Sequence, residues 1–162
     1  MNPIARIAQK MMEAPQNTRH DIGHFLKVYG YAKTIGECEG LPPETQRVLE
    51  AAALVHDIAC PLCRQKYGHA DGAHQQLEGE PMARAFLQDS GLDEPEIERV
   101  AFLVGHHHTL EGIDGPDWQI LLEADYLVNA DEGGASKEAI ANTLNVMYRT
   151  KSGAALLRAI YL

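Results

Sequence analysis

Apolar residues in this chain recur at intervals of three and four, segment after segment, and nowhere alternate over a strand-length run. That spacing puts them on one face of a helix and leaves no period of two from which a sheet could be built. Phe25, Val28, Tyr29, Ala32 and Ile35 mark one such face; Val48, Leu49, Ala51, Ala52, Leu54 and Val55 mark another. Punctuation separates the segments: Pro15, Gly40 with Pro42 and Pro43, the turn-rich "EGIDGPD", and Gly133-Gly134. The expected fold is all-α, a single-domain helical bundle over 1–162 with about six or more helices and no internal repeat.

Local signals set the helix limits. A first helix is expected from about Pro3 to Ala14. Thr18 followed by Asp21 is a capping pair that opens a long helix toward Gly36 or Glu39. Pro43 suits a first turn. From Ile58 to about Gln75 the pattern dissolves, which points to a long functional connection or a short hidden element. Helices then resume over about Gln76–Gln88 and Glu94–His107, and Pro116 starts the apolar "DWQILLEADYLVNADE". Ser136 caps a final region, with an interruption expected at Ser152-Gly153.

Composition narrows the partners. The chain has 162 residues, 45% of them hydrophobic, enough for a core that needs no staples. Three cysteines, an odd number, argue for a reducing compartment, so a cytoplasmic location is expected. The amino terminus "MNPIARIAQKMMEAP" is broken by Arg6 and Lys10 and reads as an amphipathic helix, not a leader. No run approaches the roughly 18 apolar residues of a membrane span, so no membrane partner is expected. A net charge of −9 with 14 scattered basic residues argues against a nucleic-acid polymer as partner. A small phosphate ester remains admissible where a metal or a few local cations neutralise it.

Three of the expected helices each carry a metal-ligand side chain on an apolar face. His24 sits one turn before Val28, His56-Asp57 ends the Ala-rich segment, and Asp125 lies within "LLEADYLVN". A carboxylate in such surroundings is costly unless paired or bound to a metal. Imidazole nitrogens with carboxylate oxygens suit a divalent first-row ion that keeps positions open for water and substrate. His20, one turn before His24, competes for the first place.

The order His24, His56-Asp57, Asp125 resembles the HD-domain superfamily of metal-dependent phosphohydrolases. "GHFLKVYGYAKTIGECEGL" looks like that family's first helix and "LEAAALVHDIA" like its His-Asp helix, and the likeness runs from about Asp21 to Asn129. The resemblance implies an HD-type bundle whose ligands are His24, His56, Asp57 and Asp125, holding Mn, Fe, Ni, Co or Zn, with Mg admissible. It further implies Asp57 as the group that orients an attacking water and His107 as a donor to substrate or leaving group. One or two ions are implied, with His74, His107 and His108 as candidate ligands of the second. The implied substrate is a small phosphate ester, foremost a nucleotide. A homodimer is compatible with such an enzyme. The alternatives are a metal- or nucleotide-binding regulatory module without turnover, and a di-iron oxygenase-type protein.

The chain departs from one pattern. Many two-metal relatives continue the dipeptide as His-Asp-Ile-Gly-Lys, whereas here it reads "HDIACP". Arg64 or Lys66 is the candidate replacement for the missing lysine, and Lys151, beside Ser152 and Gly153 at a helix start, is a further candidate for substrate phosphate. Cys60 and Cys63 with His69 and His74 have a spacing that could chelate a structural zinc, but two buried thiols are the favoured reading. Trp118 and Tyr126 are expected in the core.

Overall fold

A computed structural model describes all residues 1–162 as helices and connecting turns. The elements are α1 (Pro3–Glu13), α2 (Arg19–Cys38), α3 (Pro43–Val55), α4 (Cys60–Tyr67), α5 (Gly72–Phe86), α6 (Glu94–Val104), α7 (Pro116–Glu132), α8 (Lys137–Val146) and α9 (Lys151–Tyr161). The all-α expectation holds.

Each start has a local cause. Thr18 accepts from the Asp21 amide while Asp21 reaches back to the Thr18 amide, so two orphan donors are satisfied at once. Asp93 and Glu96 repeat that box at α6. Ser136 caps α8 and Thr150 caps α9 through their hydroxyls. The break between the last two helices therefore lies at residues 147–150, and Ser152-Gly153 falls inside the first turn of α9, not at an interruption.

The long connection expected over Ile58–Gln75 is mostly helix. Pro61 occupies the first turn of α4, where its missing N–H costs nothing, and Gly68 closes the helix with φ of 81°. Cys60 and Cys63 supply its buried side. Asp71 then caps α5, which begins several residues earlier than the sequence pattern suggested.

α2 packs along α3 and α7, α3 also meets α6, and α5 lies against α6. Phe25, Leu49, Leu54, Leu103, Ile120, Leu121 and Leu127 are fully enclosed where these helices converge. α2, the end of α3, the turn after α6 and the middle of α7 thus face one another across the centre, and that convergence positions the site. No helix is long and apolar enough to cross a membrane.

Candidate metal centre

Four polar side chains from three elements meet in the core. His24 Nε2 lies 3.2 Å from His56 Nε2, 3.2 Å from Asp57 Oδ2 and 3.2 Å from Asp125 Oδ1. His56 Nε2 lies 3.5 Å from the same Asp57 oxygen and 3.4 Å from the same Asp125 oxygen. His107 completes the group from the turn after α6, with Nε2 3.4 Å from Asp57 Oδ1.

The other ring nitrogens identify the tautomers. His56 Nδ1 donates to the Ala53 carbonyl at 2.8 Å, and His107 Nδ1 donates to Val104 at 2.7 Å. His24 Nδ1 faces both oxygens of Glu132 at 3.1 and 3.2 Å. In the neutral rings each Nε2 is therefore a lone pair, and all three point at carboxylate oxygens. His107 Nε2 and Asp125 Oδ1 are buried with no hydrogen-bond partner. Lone pairs aimed at lone pairs repel, so the cluster calls for positive charge at its centre. Imidazoles oriented through Nδ1 onto a carboxylate or carbonyl are also what a metal-ligating histidine needs. The donor set fits a divalent ion: His24, His56 and Asp57 bring ligand atoms within reach of one ion, and Asp57, His107 and His108 form a second such group sharing Asp57. Asp125 lies outside both groups, but its Oδ1 stands 3.2 and 3.4 Å from the Nε2 atoms of His24 and His56, at the edge of the first.

The carboxylates draw positive charge to the same point, here onto the imidazoles as protons. Burial lowers the His24 pKa, but the carboxylates of Asp125 and Asp57 beside it more than reverse this and raise it to about 11. His56 is likewise raised, against its complete burial, by Asp57 and Asp125. Burial pushes the carboxyls of Asp57 and Asp125 up, yet the imidazoles around them hold both well below the usual carboxylate range.

The remaining candidates separate. His20 is exposed and faces Glu132 at 3.3 Å, so His24 holds the inner place. His74 belongs to neither ligand group; its Nδ1 is bound to Asp71 at 2.5 Å and its ring stacks on Tyr67. Lys66 pairs with Glu78 at 2.7 Å and lines neither cavity beside the cluster. Lys151 is exposed, and the helix start it belongs to already has an anion: Glu123 accepts from the amides of Arg149 and Thr150 and from the Thr150 hydroxyl. Arg64 does line a cavity with His24 and Asp57, held there in a bidentate pair with Asp21 at 2.6 and 3.1 Å. Neither ligand group contains a cysteine; Cys60 and Cys63 are buried free thiols. Tyr126 is only half-buried and borders a cavity, unlike the buried Trp118.

Two supporting residues escaped the sequence reading. Glu132 orients His24, and Gln75 accepts from His108 Nε2 at 2.6 Å. The signal for the first was present: Asp125, Asn129 and Glu132 stand four and three residues apart, a polar stripe along an otherwise apolar helix.

Comparison with known proteins gives one family and one fold. A family model described as "HD domain" matches residues 21–144. A crystal structure of a predicted HD superfamily hydrolase from an uncultured Thermotogales bacterium superposes with a TM-score of 0.66 at 23% identity, covering 96% of this chain and 82% of that one. No curated protein matches the chain.

Proposed function

The chain belongs to the HD-domain family, and from that premise we propose that it is a metal-dependent phosphohydrolase acting on a small phosphate ester, nucleotides among them. The observation that supports this most is the convergence of His24, His56 and Asp57, with Asp125 Oδ1 against both imidazoles, the imidazole lone pairs directed inward and their Nδ1 atoms fixed from behind. A divalent ion held by His24, His56 and Asp57, with Asp125 beside them, would lower the pKa of a bound water and polarise a phosphoryl oxygen.

The rest is the work of the chain itself. Asp57 presents Oδ2 to His24 and His56 and keeps Oδ1 on the His107 side, where it can orient water and accept its proton. His107 is fixed by the Val104 carbonyl with its Nε2 lone pair 3.4 Å from Asp57 Oδ1, so it is placed to take up the proton that Asp57 accepts from water and hand it to the leaving oxygen. Arg64 borders the same cavity as His24 and Asp57 and, shared with Asp21, is the cationic group that stands in for the lysine "HDIACP" lacks. Glu132 keeps the His24 ring in register.

A phosphatase assay with Mn-, Co- or Ni-loaded protein against phosphomonoesters and nucleotides tests the reading. Phosphate release should appear with the native chain and drop at least about a hundredfold in Asp57→Asn, within the range expected when a proton-transfer group is lost. Equal release from the variant, or none from the native chain with any metal, contradicts it.

A further inference from the structure

Two separate cavities border the cluster, and Asn129 is the one residue they share. They differ in chemistry. The first, about 150 Å³, opens beside His24 and Asp57 and is bordered by Asp21, Arg64 and Glu132. An uncharged organic group placed there would strip water from these ions and return nothing. The second, about 200 Å³, has His107, His108 and Asp125 on its border, and the rest of its wall is largely Leu110, Leu122, Tyr126 and Met147. It contains no lysine or arginine.

We propose that this second cavity seats the organic part of the substrate, and that the substrate is a phosphomonoester bearing a single compact apolar or aromatic group. The inference rests on the phosphohydrolase reading and gives it a direction. The phosphoryl group lies at the His/Asp cluster, and the group on its ester oxygen leaves past His107 toward Tyr126. About 200 Å³ is smaller than the roughly 300–1,000 Å³ of sites for drug-sized ligands, so one ring fills it and anything larger would extend into solvent. A second or third phosphate directed into this cavity would meet no Lys or Arg. Tyr126, beside Asp125 on α7, and Leu110, just beyond the histidine run, are the residues that set this preference.

The test uses two non-hydrolysable probes, phenylphosphonate and methylphosphonate, titrated calorimetrically into Mn-loaded protein. Phenylphosphonate should bind at least about tenfold more tightly, because it buries a ring that its partner lacks. Tyr126→Ala and Leu110→Ser should each bring that ratio toward one while leaving methylphosphonate affinity within about twofold. Leu110 is exposed, so its variant folds whether or not the tyrosine variant does. A native ratio near one, or a ratio unchanged in the variants, overturns the inference alone. Failure of both phosphonates to bind the loaded native protein overturns the phosphohydrolase reading beneath it.

Discussion

Glu132 is the residue whose part in the site is easiest to isolate, because it touches His24 from behind. Its carboxylate faces His24 Nδ1 and so fixes which nitrogen points inward. Glu132→Gln should leave the fold intact and weaken Mn or Co binding about 10- to 100-fold, read by competition with a chromophoric chelator. An unchanged affinity would mean that packing alone orients His24. The meeting of His24, His56, Asp57 and Asp125 was legible from the sequence because His24 and Asp125 interrupt apolar helical faces and His56-Asp57 directly follows one. His74, the other candidate, is a first-turn residue of α5 that turns back to its own cap, Asp71, an interaction no spacing rule reveals. Glu132 was missed because a single acidic residue near a helix end looks like solvated surface.

The helices themselves were mostly legible, since caps and apolar faces agree over α2, α3, α6 and α7. α4 was not, because "CPLCRQKY" has no apolar stripe until its two cysteines are counted as small hydrophobic residues. Contacts between elements were also beyond the sequence. Gly79 of α5 lies so close to α6 that an added Cβ would stand 2.8 Å from Val104 Cγ1. Gly79→Ala should therefore destabilise by about 1–2 kcal/mol despite alanine's better helix propensity, measured by urea unfolding. The strain falls on the residue whose carbonyl holds His107, so metal-loaded activity should fall too. Farther along, Glu123 is fully buried and accepts from Gln119 at 2.6 Å and from the start of α9. Glu123→Ala leaves the amides of Arg149 and Thr150 without that partner and should cost about 3 kcal/mol. A change near zero would mean that α9 is held only by its apolar contacts.

At the scale of the whole molecule the cluster joins parts of the chain that are far apart in sequence: α2, the end of α3, the turn after α6, and α7. An ion bound there is bound by the folded state alone, so it stabilises by mass action. At a hundredfold excess over Kd the gain is about 2.7 kcal/mol. For a chain of this size that is a rise in Tm of about 5–10 °C on metal addition, reversed by chelator and visible by calorimetry. A Tm indifferent to both would separate the cluster from any ion. The most direct measurement is elemental analysis of metal per chain on untagged native protein and on His56→Ala. The account predicts at least about one transition-metal equivalent in the native chain, lost in the variant, with two equivalents marking occupation of the Asp57, His107 and His108 group as well. A native chain that takes up no metal, or a variant that keeps its full equivalent, contradicts the assignment of the centre to the His-Asp cluster.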